Sequence, residues 1–441
     1  MTRLLFPEAF GAFAAAAALI YGLVLIGDFG VRAVVIQSAR GDQVGFLRSA
    51  WTFQLWRGIL IWLVVLGICG LIFALPIQHW LPTGSVFANH SFPLLAACMG
   101  FAVVLHGGES VCIALNARHL NYKPMVIIDL MSRILALPIA ISWAWASPSV
   151  WALVAGFLAS SLFKMVLSHL LLPGPWMGLS WDKDHWQEIV RVGKWIAVSS
   201  LVTIVSQQGE VILLGILVPG SALGLYSIAK VVLGLGEGIL DRLNRPLALP
   251  VLGEVIRRNP HHLRDRYYRF RLPIDLAAGL LSGCLFAAGN FVVSFLYDAR
   301  YAQAGLMVQI LALGTLNYPF SIIGNAFTAT GDTHINAYIS VVKAVALIGC
   351  SIIGYVEFGF LGAIGGVVFH RIIPTIAILS LAHRRDWISI WQELLIFPAF
   401  AAGLIVGKVV VLVASALGLE NIHQFLHFLS FLHLPIMPPH S

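Results

Sequence analysis

Six basic side chains stand inside long apolar runs of this chain: Arg57, Arg133, Lys164, Lys230, Lys343 and Arg371. A charge in hydrocarbon is costly, so each is by default a candidate for function. Arg and Lys pair well with phosphate oxygens, and a cationic cavity shared by several of the six would suit a substrate with a diphosphate headgroup. The competing explanation is local: a Lys or Arg within about two turns of a helix end can extend its head to the interface. The acidic counterparts are Asp28, Glu109, Asp129, Glu210, Glu237, Asp241 and Asp275. Asp129 precedes Arg133 by the same-face helical spacing that would neutralise both. Asp28 and Asp275 read as caps or ion pairs, and Asp241 as partly paired within Asp241-Arg242-Leu243-Asn244-Arg245. Glu109, in LHGGESVC, and Glu210, in VSQQGEVILLG, are harder to place. A membrane carboxylate of this kind can bind a proton or Na+ and couple it to transport. It can equally make a hydrogen bond that packs two helices.

The elements carrying these residues follow from composition. Of 441 residues, 59% are hydrophobic and 11% charged, against roughly 25% charged in soluble domains. Apolar blocks of about 20 residues suffice to cross a hydrocarbon core. Such blocks predict an all-α polytopic membrane protein with spans near 8–27, 49–74, 91–114, 124–144, 149–172, 193–217, 222–250, 272–297, 303–329, 335–356, 359–381 and 391–418. Pro246 and Pro250 are expected to kink or divide the span at 222–250. The histidine- and proline-rich tail from Glu420 is expected to lie at the interface.

Lys and Arg placement sets the orientation. Alternate connections carry Arg32, Arg40 and Arg48, then Arg118 and Lys123, then Lys183, Arg191 and Lys194. They continue with Arg257, Arg258, Arg264, Arg266, Arg269 and Arg271, and end with Arg384 and Arg385. The connections at 75–90, 145–148, 218–221 and 357–358 carry none, and Arg300 sits beside Asp298. The Arg-rich side is therefore predicted to face the cytoplasm. Its most basic segment, 251–271, could meet anionic lipid headgroups or act as a plain positive anchor. The amphipathic piece WDKDHWQEIVRVGKW, with Trp181, Trp186 and Trp195, reads as an interfacial linker.

An internal repeat divides the chain. ILVPGSALGLYSIAK, from Ile216, matches the opening LLFPEAFGAFAAAAALI, with Gly11, Phe13 and Ala16 each 213 residues before Gly224, Tyr226 and Ala229. A full span precedes Pro219, whereas six residues precede Pro7. The domains expected are an N-terminal bundle at 1–172, a linker at 173–192, a C-terminal bundle at 193–382, and a further helix with a short tail at 383–441. The first bundle is expected to lack its first helix.

Enzymatic signatures are not found. There is no Walker motif, no zinc-type spacing and no nucleophile elbow with partners, so no catalytic residue, metal or cofactor is predicted. The five cysteines lie in apolar blocks and read as small apolar residues. GFLGAIGG, from Gly359, reads as a close-packing helix face. The net charge of +7 reflects loop anchoring and is not taken as a nucleic-acid signal.

An ordered series of segments resembles the polysaccharide-biosynthesis flippases of the multidrug/oligosaccharidyl-lipid/polysaccharide exporter superfamily. It runs LLFPEAFGAF, IGDFGVRAVVIQ, VWALVAG, RVGKWIAVSSLVTIVSQQGEVILLG, LGLYSIAK and YDARYAQAGLMVQILAL. The resemblance implies two pseudo-symmetric helical bundles in a MATE-like fold. It also implies alternating-access export of an undecaprenyl-diphosphate-linked oligosaccharide across the bacterial inner membrane. Two departures accompany it: relatives carry a helix before the opening corner, and often aspartate where this chain has Glu210. On that reading some of the six basic residues hold the headgroup, and Glu109 and Glu210 are candidates for coupling an ion. The partners are the lipid-linked sugar, anionic lipids at the cytoplasmic face, and polysaccharide polymerase and chain-length proteins. An ion-coupled multidrug antiporter of the same superfamily, or a membrane glycosyltransferase or polymerase, stays open as an alternative.

Overall fold

The computed structural model describes residues 4–27, 30–74, 84–258 and 262–417, with backbone alone at helical positions 26–27, 195–207, 243, 245–246, 333 and 390. Asp28 and the tail from Glu420 lie outside the described residues. Regular structure among those residues is helical, apart from one isolated bridge between Ser85 and Pro219. By packing, the chain divides into two compact units, one up to Gly224 and one from Leu225.

The first unit holds α1 (Pro7–Gly27), α2 (Val31–Gln37), α3 (Val44–Ala74), α4 (Phe92–Gly107), α5 (Cys112–Arg118), α6 (Lys123–Ala146), α7 (Val150–Leu171) and α8 (Lys183–Leu217). The division was expected near 173–192. It falls instead at the Pro219 corner, because α8 packs along α1 and its early turns enter the core of the first unit. Ile189 is fully buried there with Val31, Phe46, Leu47 and Phe53. The segment read as a linker is part of the bundle.

The second unit contains most of α9 (Gly220–Arg258), then α10 (Leu263–Leu296), α11 (Gln303–Thr315), α12 (Gly324–Ala329), α13 (Thr333–Phe369), α14 (Ile372–His383), α15 (Ile390–Glu393) and α16 (Ile396–Ala416). One helix, α9, runs through Pro246 and Pro250 without the expected division. Proline is tolerated in membrane helices because neighbours satisfy the freed backbone groups. Among the described residues, nine helices are long and apolar enough to span, or ten with the bent pair α4–α5 counted as one. The expected spans at 335–356 and 359–381 fall within one such stretch, His334–His383. They are separated by a break at Gly359, whose φ of 63° no side chain favours. In the same glycine-rich run, Gly362 meets the backbone of Gly354 and Gly366 that of Cys350, as its reading as a packing face predicts.

The last helix is integral to the second unit. Gly279 of α10 lies against Ala399 of α16 and Gly283 against Gly403, and a β-carbon at Gly407 would stand 3.0 Å from Cys284 Cα. Two small-residue pairs at i, i+4 let the backbones approach this closely. Leu63 and Leu71 of α3 and Ile405 and Leu412 of α16 are exposed. Exposed apolar side chains of this kind are what a lipid-solvated surface requires.

The two copies of the repeated corner touch each other. Pro7 and Pro219 each stand at a helix start, where a missing N–H costs nothing. Ser85 ties the later copy down by donating to Gly215 O at 3.0 Å. A methyl group on Gly11 would strike the carbonyl of Gly220, and one on Gly224 would strike that of Pro7. Gly11→Leu should therefore lower the melting temperature of the purified protein, by an amount equivalent to about 1–3 kcal/mol. Gly234→Ala, on α9 with open space around it, should leave it unchanged or raised; equal effects from the two would refute the crossing.

A polar latch closes the loop between α12 and α13. Arg385 Nη1 donates to Asp332 Oδ2 at 2.6 Å while its guanidinium lies 5.1 Å from the rings of both Phe327 and Trp387. The Arg385 hydrogen bond holds the Asp332 carboxyl below its ordinary range. A depressed carboxylate stabilises the fold above its unfolded pKa of about 4 and loses that contribution as pH falls through the folded value. Asp332→Asn should thus lower the melting temperature at pH 7 and converge on the parent near pH 3, measured by thermal unfolding across pH.

Candidate functional site

The site begins with a broken helix. Gly107-Gly108 interrupts the apolar run, and α4 and α5 meet there at 55°. A break in hydrocarbon frees carbonyls that water cannot satisfy. One side chain collects three of them. Gln54 Nε2 of α3 donates to His106 O at 3.0 Å, Gly107 O at 3.2 Å and Glu109 O at 3.3 Å. Trp51 Nε1 donates to Gly108 O at 3.2 Å, and His169 Nε2 meets the same oxygen at 2.8 Å. Ser110 N donates to Ser168 Oγ at 2.9 Å. Close approach needs glycine here, since a β-carbon on Gly107 would stand 2.9 Å from Gln54 O.

The break presents Glu109, its side chain 12% exposed, to a cluster of charges. His106 Nδ1 lies 2.6 Å from Glu109 Oε1, and Lys164 Nζ of α7 lies 3.8 Å from the same oxygen. Lys164 also stands 3.3 Å from Asp129 Oδ1 of α6, and Arg133 reaches Asp129 Oδ2 at 3.4 Å. One cation is thus shared by two carboxylates from two other helical segments. A cavity of about 160 Å³ opens beside them, lined in part by Arg32, Gln54, Glu109, Asp129 and Lys164. That space admits water or a small ion but lies below the roughly 300–1,000 Å³ of ordinary ligand pockets.

The second unit carries its own polar stripe. Glu237, Asp241 and Asn244 share one face of α9, against α11 and the residues after it. Thr315 Oγ1 donates to Glu237 at 3.4 Å, Tyr318 Oη to Asp241 at 2.8 Å, and Asn244 Nδ2 to Tyr318 Oη at 3.3 Å. Arg371, at the start of α14, places Nη1 3.7 Å from Glu237 Oε1. Asp241 takes a hydrogen bond from Tyr318; the side chain of Arg245, a partner expected for it, lies outside the described residues.

The eight candidates fall as follows. Lys164 and Glu109 come together in the first cavity, and Arg133 joins them through Asp129. Arg57 is half-buried on α3, one turn beyond Gln54. Glu210 is buried on α8, at 5% exposure. In the second unit Arg371 meets Glu237, Lys230 Nζ lies 5.9 Å from the Tyr226 ring centroid, and Lys343 is half-buried on α13. Glu109, read as an isolated carboxylate, is in fact paired with His106 and Lys164. Arg271, read as a cytoplasmic anchor, is fully buried. It donates to Asp275 at 3.0 Å, to Tyr267 Oη at 3.0 Å and to Glu393 of α15. Asp275, read as a cap or an ion pair, makes an ion pair. The roles of Gln54, Trp51 and His169 escaped sequence reading, although the Gly-Gly pair beside Glu109 signalled a break.

Residues 1–305 match the family described as polysaccharide biosynthesis protein. The chain belongs to that family. It is 22% identical over 362 residues to the succinoglycan biosynthesis transport protein ExoT of Rhizobium meliloti, covering 81% of this chain and 70% of the relative. It is 21% identical over 292 residues to the amylovoran biosynthesis protein AmsL of Erwinia amylovora, covering 62% and 75%. In fold it is similar to the inward closed lipid II flippase MurJ, with a TM-score of 0.67 at 14% identity over 97% of this chain and 93% of that one. It is also similar to an inward-facing multidrug resistance MATE family transporter, with a TM-score of 0.66 at 13% identity over 86% and 91%. The polysaccharide biosynthesis protein described here thus has the MATE-like fold of that exporter superfamily.

Gln54→Leu removes the donor shared by three carbonyls while keeping much of the side-chain volume. It should reduce thermal stability by an amount equivalent to about 1–3 kcal/mol, the cost of leaving buried polar groups unpaired. An unchanged melting curve would show that the break does not depend on Gln54.

Proposed function

We propose that this chain exports a lipid-linked oligosaccharide across the bacterial inner membrane for polysaccharide biosynthesis, taking an undecaprenyl-diphosphate-linked repeat from the cytoplasmic to the outer leaflet. It acts as a transporter, and it delivers its cargo to the polysaccharide polymerase and chain-length proteins. Family membership and the transport protein among its relatives support this reading. The observation that carries it is Lys164 held at 3.3 and 3.8 Å between Asp129 and Glu109 beside a broken helix.

That arrangement makes Lys164 a contested cation. At an effective dielectric of about 20, a pair of unit charges 4 Å apart is worth about 4 kcal/mol, enough to hold Lys164 and little enough for a diphosphate to compete. When phosphate oxygens draw Lys164 away, Glu109 and Asp129 are left as like charges without their shared counter-ion. A proton or Na+ bound beside Glu109 relieves that repulsion. Substrate entry and ion binding then favour one another, and release of the headgroup returns Lys164 to the carboxylates. Arg371, released from Glu237, is the corresponding cation of the second unit, and Arg57, Arg133, Lys230 and Lys343 complete the basic set. Glu210 is a second candidate for ion coupling.

Export of cell-surface polysaccharide, scored in a strain depending on this chain, tests the reading. Lys164→Ala and Arg371→Ala should each reduce export about tenfold or more at unchanged membrane abundance, consistent with loss of a charge-assisted phosphate contact. Glu109→Gln should flatten the pH dependence of export. Full export from single alanine substitutions at all six basic positions would sink the cationic proposal. Drug efflux by the purified protein without sugar-lipid transfer would favour the antiporter.

A further inference from the structure

The outward face of the first turns of α8 has chemistry that the transport reading leaves unused. As one 35-residue helix, α8 is roughly 52 Å long, against about 30 Å of hydrocarbon. The apolar stretch begins at Trp195, so Lys183–Lys194 extends past the bilayer core into the headgroup region. One side of this extension is anchored. Ile189 is fully buried, and Glu188 accepts from Ser38 Oγ at 2.6 Å and faces Arg40 at 3.9 Å. Asp182 is occupied capping the helix, accepting from Asp184 N at 2.9 Å and His185 N at 3.2 Å.

The other side forms an open groove of about 560 Å³ lined by Trp181, Lys183, Trp186, Gln187, Val190, Arg191 and Lys194. Three cations line it and no carboxylate does, among the described residues. Trp181 and Trp186 lie against each other, tilted by 31° with ring centroids 3.9 Å apart, and Phe53 meets Trp186 edge-on at 5.0 Å. Trp186 Nε1 is buried and makes no hydrogen bond among the described residues. Aromatic area and a cluster of cations match one anionic amphiphile: phosphate at the cations, chain region across the tryptophans.

We infer that this groove binds one anionic glycerophospholipid of the cytoplasmic leaflet, separately from the transported substrate. Bound there, the lipid braces the extension of α8 against the membrane surface.

Native mass spectrometry of the purified full chain, titrated with phosphatidylglycerol or phosphatidylcholine, reads this directly and needs no transport. The chain should retain one phosphatidylglycerol at about tenfold or more lower concentration than phosphatidylcholine, since each basic residue near the surface adds to the attraction. The triple variant Lys183→Ala, Arg191→Ala, Lys194→Ala should lose that preference. Trp181→Ala removes the exposed ring of the tryptophan pair. It should weaken retention several-fold at an unchanged melting temperature, which keeps the test decisive if the triple variant folds poorly. Equal retention of the two lipids, an undiminished preference in the triple variant, or no effect of Trp181→Ala would overturn the inference. Displacement of phosphatidylglycerol by millimolar inorganic phosphate would overturn its assignment to a lipid. Failure of the sugar-lipid export reading would leave all of these outcomes unaffected.

Discussion

Backbone carbonyls that water cannot reach must be satisfied by the protein, and in this chain that constraint is concentrated where α4 breaks. An unbroken helix would satisfy its own hydrogen bonds and would turn Glu109 wherever the helical pitch dictated. The break frees the carbonyls of His106, Gly107, Gly108 and Glu109, and Gln54, Trp51 and His169 recover them. Those three residues lie on α3 and α7, so the break fixes how these helices approach α4. Lys164 is carried on the same α7 as His169, less than two turns away. Cation and carboxylate are therefore held in one frame by the same bonds that make the break tolerable.

The glycine crossing at the repeated corner is a constraint of a different kind. It adds no polar contact; it removes side-chain volume so that two backbones can touch. Gly11 and Gly224 occupy equivalent places in the repeat, and each is met by the chain flanking the other. A packing requirement placed on one copy is thus also placed on its counterpart. This gives the 213-residue spacing a physical meaning beyond shared ancestry of sequence.

Much of the architecture was legible because hydrocarbon imposes strong local rules. Block length marks where apolar helices run, although it expected twelve spans where the described residues hold nine or ten, and it needs no knowledge of partners. Asp129–Arg133 was legible for the same reason, as a pair one helical turn apart. What escaped were relations between distant positions. Arg271 looked like one more anchor in a basic segment, yet Glu393, 122 residues later, returns to bury it. The first turns of α8 looked like a linker because they are amphipathic, and amphipathicity alone does not say whether the apolar side faces lipid or Phe46 and Phe53. Glu109 and Lys164 were both singled out, but 55 residues separate them in sequence and only the folded bundle makes them one site.

The buried charges differ in how completely they are enclosed. Arg271 is wholly enclosed, with Asp275, Glu393 and Tyr267 as hydrogen-bond partners and the Phe320 ring centroid 4.6 Å from its guanidinium carbon. Removing one partner from so enclosed a pair leaves an uncompensated buried charge, so this cluster is suited to holding α10 against α15 and unsuited to exchange. Lys164 and Arg371 are also paired, but their side chains are 29% and 22% exposed, and their contacts to Glu109 and Glu237 are long, at 3.8 and 3.7 Å. A cation that must pass from carboxylate to phosphate needs both an escape path and a partner it can leave. By those two criteria the sealed arginine is suited to a structural role, and the two more exposed cations meet the conditions for changing partners.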